Sequence, residues 1–138
     1  MEIKKSGCIV FSKDKTKVAL IYRDFRNDYT FPKGHIENNE SLIECAIRET
    51  EEEIKVKPII EDENNYYIEN YESFEGNIKV YYYIAYDGGI SDNKSSDTHD
   101  VIWTDIKEVY SKLSYNSTKE MWKQIKESLW GKIWKKLY

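Results

Sequence analysis

The sequence predicts an α/β chain of the α+β sandwich kind, with a mixed β-sheet packed between helices. Three observations carry that expectation: short runs of β-branched and aromatic residues at Cys8–Phe11 and Val18–Tyr22, a change to helical spacing after Ser41, and a second helical stretch at the C-terminal end beyond further strand-like runs. The 138 residues are 40% hydrophobic and 33% charged, enough apolar material for one packed core, so a single domain over residues 1–138 is expected.

The first two runs, separated by the polar stretch Ser12–Lys17, predict a hairpin. Asp24–Thr30 is polar and turn-like, and Phe31-Pro32-Lys33-Gly34 sets a proline near a glycine, which predicts a crossing loop. Leu42, Cys45, Ala46 and Ile54 then share one helical stripe, and Ser41 with Glu44 three residues later forms a capping box, so a helix starts there. After Pro58, strands are expected at Tyr66–Ile68, at Tyr71–Phe74 and, most strongly, at Lys79–Tyr86. Asp87–Asp100, with Gly88-Gly89 and several Asn, Ser and Asp, predicts a loop, and Val101–Trp103 a brief strand. Met121, Ile125, Leu129, Ile133 and Leu137 at four-residue steps predict an amphipathic last helix, with Trp122, Trp130 and Trp134 as packing aromatics.

Composition excludes some function classes. Lys plus Arg total 21 against 25 Asp plus Glu, a net charge of −4, which argues against duplex nucleic-acid binding because phosphate contacts draw on clustered Lys and Arg. No apolar run has the length of a membrane span, and Met1–Lys5 lacks the apolar centre of a signal peptide, so a cytoplasmic chain without membrane partners, working as a monomer, is expected. Cys8 and Cys45 lie far apart without metal-ligand spacing and are expected to be buried free thiols.

The chemistry concentrates in the first helix. Glu49, Glu51, Glu52 and Glu53 follow Arg48, and positions 49, 52 and 53 share one face through i, i+3 and i+4 spacing. Like charges at those spacings each cost a few tenths of a kcal/mol, a penalty that a bound cation removes. Hard cations, Mg2+ or alternatively Mn2+, take such carboxylates together with substrate phosphates, an arrangement suited to phosphoanhydride hydrolysis. Gly34, just upstream, allows a loop backbone to come close to a metal or phosphate.

Gly34, then Glu40, then Arg48-Glu49-Thr50-Glu51-Glu52-Glu53-Ile54-Lys55-Val56 follow the pattern G-x5-E-x7-R-E-U-x-E-E-x-G-U, with U apolar, and on these residues the chain resembles the Nudix hydrolase family. The resemblance implies that Glu52 and Glu53 ligate a divalent metal with the carbonyl of Lys33, and that Glu49 binds metal or acts as the base that orients the attacking water. It also implies that Arg48 pairs with a carboxylate of the helix and that Glu40 ties loop to helix. Two positions depart from the pattern: Lys55 stands where glycine is usual, which costs about 1–2 kcal/mol if the residue is left-handed, and Thr50 replaces an apolar residue.

Within that family the chain is similar to the asymmetrical bis(5′-nucleosyl)-tetraphosphatase branch, through Phe31-Pro32-Lys33-Gly34-His35-Ile36-Glu37, the strand Lys79–Ala85, and Ser95-Ser96-Asp97 ahead of Trp103. This similarity implies a nucleotide substrate, diadenosine tetraphosphate cleaved to ATP and AMP. It makes Asp97 a further metal ligand, with Asp100 a competing choice. Gly34, His35, Lys79, Tyr81 and Tyr83 become substrate contacts, with Tyr82 open as the matching tyrosine, and Tyr115 a ring for adenine stacking. His99 is expected as a solvent-exposed loop residue. The same metal cluster also serves 5′-triphosphate RNA, oxidised nucleoside triphosphates or inositol pyrophosphates, and a non-catalytic nucleotide sensor is the reading from another class.

Overall fold

The computed structural model describes residues 2–129; Trp130, Ile133, Trp134 and Leu137 of the expected C-terminal stripe lie outside them. Its elements run β1 (Glu2–Phe11), β2 (Lys17–Arg23), β3 (Asp28–Thr30), β4 (Lys33–His35), α1 (Leu42–Ile54), β5 (Val56–Ile59), β6 (Tyr66–Ser73), β7 (Gly76–Ile90), β8 (Asp100–Asp105), α2 (Val109–Lys112) and α3 (Asn116–Leu129). The expected mixed sheet forms in the order β3-β2-β1-β7-β5, with β4 also on β1, β6 on β7 and β8 on β2. Along its whole length β1 pairs in parallel with β7, from Glu2↔Asn77 to Phe11↔Tyr86.

Strand alternation divides the core in two. Ile9 and Phe11, with Ile78, Val80, Tyr82 and Ile84, pack against Met121, Trp122, Ile125 and Leu129 of α3. Cys8 and Val10, with Tyr83 and Ala85, pack against Ala46 and Ile54 of α1. The sheet therefore lies between two helices, and both cysteines are buried free thiols, as expected. Among the described residues no helix is long and apolar enough to cross a membrane.

Several boundaries differ from the expectation. β7 continues to Ile90 through Gly88-Gly89, where a loop from Asp87 was expected, because β5 pairs beside it: a Cβ on Gly88 would lie 2.6 Å from the carbonyl oxygen of Lys57. Asp28–Thr30 and Lys33–His35 form short strands in the expected turn and loop, recruited by pairing with β2 and β1. The two runs Tyr66–Ile68 and Tyr71–Phe74 fuse into β6, since Glu69 and Asn70 stay in register with Val80 and Lys79.

The capping box at α1 is present: Ser41 Oγ accepts from the Glu44 N–H at 3.1 Å, and Glu44 Oε1 accepts from the Ser41 N–H at 2.9 Å. Ser41→Ala is expected to cost about 1 kcal/mol. Urea titration should show this as a lower midpoint at unchanged slope, and an unchanged midpoint would remove the cap from the stability of the chain. At the other end Lys55 adopts φ 56°, ψ 34°, the left-handed conformation that the glycine of the pattern would take without strain. Tethers accompany it: Lys55 N–H donates to the Glu51 carbonyl at 3.1 Å, and Lys55 Nζ to that of Ser95 at 2.6 Å. The Ser91 N–H returns to the Lys55 carbonyl at 2.9 Å, so the helix end anchors the loop 91–99.

Candidate active site

The acidic face of α1 lies over β4, and glycine is what lets it do so. A Cβ on Gly34 would fall 2.1–2.3 Å from the carboxyl atoms of Glu49, so the Glu49 side chain occupies the space that any other residue at 34 would need. Arg48 organises the rest. Its Nε and Nη2 fork onto Glu40 at 2.6 and 3.0 Å, its Nη1 donates to Glu49 at 2.8 Å and to Glu52 at 3.2 Å, and Nη2 also reaches the carbonyl of His35 at 3.0 Å. The Arg48 guanidinium holds the Glu40 carboxyl down at about 2, and Glu40 in turn accepts from the Glu37 N–H at 3.0 Å, tying loop to helix.

Glu53 is buried, with one oxygen on the Lys33 N–H at 2.7 Å and the other 3.5 Å from His99 Nε2. Burial pushes its carboxyl up to about 8, and burial raises that of Glu49 as well. As they stand, no three acidic, histidine or cysteine side chains among the described residues form a ready metal cage: Glu49 and Glu52 rest on Arg48 and Glu53 on a backbone N–H. The donor set nonetheless suits a hard divalent cation. It is made of carboxylate oxygens, outnumbers its one guanidinium, and includes two acids whose charged form burial disfavours, a deficit that a cation offsets.

On the far side of β4 a cavity of about 350 Å³ opens, with Lys5, Arg23, Arg26 and Lys33 in its lining beside Tyr71 and Tyr115. The Lys33 ammonium lies 3.4 Å from Thr30 Oγ1, and burial lowers it to about 8. Arg23 forks onto Asp28 at 2.8 and 2.6 Å, and the Tyr115 hydroxyl donates to the same carboxylate. Glu69, buried in the wall, accepts from Ser117 and Thr118 hydroxyls at 2.5 and 2.7 Å. Lys33 thus belongs to both compartments, its N–H on the acidic helix and its ammonium in the cavity.

The structure brings together Glu40, Arg48, Glu49, Glu52, Glu53, Gly34 and Lys33, and sets Tyr115 in the cavity. Lys79, Tyr81 and Tyr83 do not line that cavity. Alternation turns them toward the α1 side of the sheet, with Lys79 3.8 Å from Glu2 and the two tyrosine rings 5.9 and 5.5 Å from that of Tyr66. Tyr82, the alternative, is buried in the α3 core. His35 is exposed, 3.9 Å from Glu75. Asp97 is exposed and its N–H donates to Ser95 Oγ at 3.1 Å, in a loop whose next residue, Thr98, donates its hydroxyl to the Glu52 carbonyl at 3.4 Å. His99 corrects the expectation of a solvated loop residue: its N–H donates to the Glu53 carbonyl at 2.9 Å and its ring faces the Glu53 carboxylate. Sequence reasoning missed Lys5, Arg23, Arg26, Glu69 and Tyr71; the signal available was charge at or beside strand patterns for Lys5, Arg23 and Glu69, whereas Arg26 in a turn and Tyr71 in a strand carried none.

A mixed sheet between two helices, with a carboxylate-bearing helix seated on a glycine strand, defines a class of α/β sandwich proteins built around an acidic helix. The NUDIX domain model matches residues 3–127, and the chain belongs to that family. Over 48 residues it is 35% identical to the mRNA-decapping enzyme subunit 2 of Saccharomyces cerevisiae strain YJM789, a stretch covering 35% of this chain and 5% of that protein. Among solved structures, a binary complex of the Ap4A hydrolase of C. elegans superposes with a TM-score of 0.76 at 22% identity, covering 94% of this chain and 98% of that one. A NUDIX hydrolase from Nitrosomonas europaea superposes with a TM-score of 0.75 at 16% identity, covering 93% and 90%. At these identities the structural matches speak for the fold.

Proposed function

We propose that the chain is a Mg2+-dependent hydrolase of dinucleoside polyphosphates that splits diadenosine tetraphosphate into ATP and AMP, with water as the nucleophile. The observation that carries this reading is the double engagement of Lys33, which joins the acidic helix to a cavity with four basic side chains and aromatic walls. In this reading Glu52, Glu53 and the carbonyl of Lys33 hold the metal. The ion, when bound, neutralises charge on the phosphate oxygens and lowers the pKa of a bound water. Glu49, seated on Gly34 and raised by burial toward proton acceptance, takes the proton as the water oxygen bonds to phosphorus and the phosphoanhydride P–O bond breaks. Arg48 keeps Glu49 and Glu52 in position. Lys5, Arg23, Arg26 and Lys33 bind the phosphate chain, and Tyr71 and Tyr115 border the nucleoside. The C. elegans Ap4A hydrolase fold is consistent with this substrate.

A second reading, cleavage at an RNA 5′ end, has one specific observation behind it, the 48-residue similarity to the yeast mRNA-decapping subunit. Incubating the purified protein and Mg2+ with diadenosine tetraphosphate, capped and triphosphorylated RNA, nucleoside triphosphates and inositol pyrophosphates separates the two. The expected products are ATP and AMP from the first. Faster release of a nucleotide from capped RNA would replace this reading with the second.

A further inference from the structure

We propose that a second cleft, lined by Tyr22, Asp24, Phe25, Thr98, His99 and Asp100, binds the far nucleoside of a dinucleoside polyphosphate whose near end lies in the cationic cavity. This inference rests on the hydrolase reading above and assigns a separate subsite within it.

The cleft has a volume of about 260 Å³, and its wall includes an unusual surface residue. Phe25, in the turn between β2 and β3, is 74% exposed, with the guanidinium carbons of Arg23 and Arg26 5.9 and 5.6 Å from its ring centroid. A phenyl ring held out in water with two guanidinium groups close to it is a surface on which a base can stack. Because Arg23 and Arg26 line the cavity while Phe25 lines the cleft, a single turn divides the two compartments.

One residue from each lining also contacts the same carboxylate, Glu53. Lys33, whose ammonium is in the cavity, donates its backbone N–H to one oxygen of Glu53, and His99 of the cleft has its Nε2 3.5 Å from the other. A phosphate chain reacting beside Glu53 therefore has a compartment at each end.

Charge assigns which part of the ligand goes where. The cavity presents Lys5, Arg23, Arg26 and Lys33, whereas the cleft presents Asp24 and Asp100 and no lysine or arginine. Carboxylates only accept hydrogen bonds, so they repel a phosphate chain and suit the hydroxyl donors of a ribose. The cleft is built for a base and a sugar. A ligand with one nucleoside leaves it empty.

The test measures binding by calorimetry in Mg2+, using methylene-bridged, non-cleavable diadenosine tetraphosphate and methylene-bridged adenosine tetraphosphate, which carries one nucleoside. Phe25→Ala should weaken the two-nucleoside analogue about tenfold, the size of one lost base–aromatic stack, and leave the one-nucleoside analogue within about twofold. Phe25→Trp should restore the difference. The side chain is exposed, so thermal unfolding of the variant should match the parent. Unchanged binding of both analogues, equal weakening of both, or failure of the parent protein to bind the two-nucleoside analogue would each overturn the subsite. Hydrolysis by the parent protein, run alongside, keeps the two readings apart. Cleavage of diadenosine tetraphosphate with binding indifferent to Phe25 removes the subsite and leaves the hydrolase; Phe25-dependent binding without cleavage does the reverse.

Discussion

Glu52→Gln is expected to lower hydrolysis of the preferred substrate by at least about a thousandfold while leaving the fold intact. Glutamine has the same shape and keeps an oxygen that can accept from Arg48, which sits 3.2 Å from Glu52 in the native chain. That contact is an i,i+4 pair at a side chain still 22% exposed, so its loss alone is worth well under about 1 kcal/mol. The charge is another matter. A metal-held phosphate contributes several kcal/mol to the transition state, and each 1.36 kcal/mol is about tenfold in rate, so a neutral ligand forfeits about three decades. Turnover and urea unfolding of the same preparation check both halves. A rate within about tenfold of the parent would remove Glu52 from the ligand set, and a parent chain that binds nucleotide without turnover would favour the sensor reading.

Arg48→Ala should produce the largest loss of stability, about 3 kcal/mol. The guanidinium is shared by Glu40, Glu49 and Glu52 and is only 20% exposed, so truncation leaves three part-buried carboxylates facing one another. Arg48→Lys should recover only part of the loss, since an ammonium cannot fork onto Glu40 while also reaching Glu49 and Glu52. The loss should depend on pH. Arg48 depresses the folded Glu40 carboxyl to about 2 from an ordinary 4.5, so the stabilisation is fully present above about pH 4.5 and is lost as pH falls toward 2. The gap between parent and variant should therefore narrow through that window in chemical unfolding. A gap constant from pH 7 to pH 3 would contradict the shared-guanidinium account.

Helix α1 was legible because its determinants are local. The capping box, the apolar stripe, and the spacing of Gly34, Glu40, Arg48, Glu49, Glu52 and Glu53 are set by positions along the chain, and contacts within a helix depend on little else. The left-handed conformation of Lys55 was only one of the helix ends the sequence allowed, and the structure decided for it. The two-sided core followed from alternation in β1 and β7 and from the four-residue steps of α3.

Lys79, Tyr81 and Tyr83 show where local reading stops. Alternation correctly put them on one face of β7, yet which face meets the cavity depends on how β7 pairs with β1 and β6, and a shift of one residue exchanges every side chain between faces. The cavity itself collects Lys5, Arg23, Lys33, Tyr71 and Tyr115 from separate elements. His99 reaches Glu53 only because the loop 91–99 is tied to the end of α1 through Lys55. The sequence by itself determined the acidic helix and the sandwich of sheet between helices, since neighbours in the chain fix helical faces and strand periods, while the seating of Glu49 on Gly34 came from the packing of α1 on β4. Only the tertiary structure decided which basic and aromatic side chains border that helix and which histidine meets its last carboxylate, because those partners are brought together by sheet register and loop anchoring across long sequence separations.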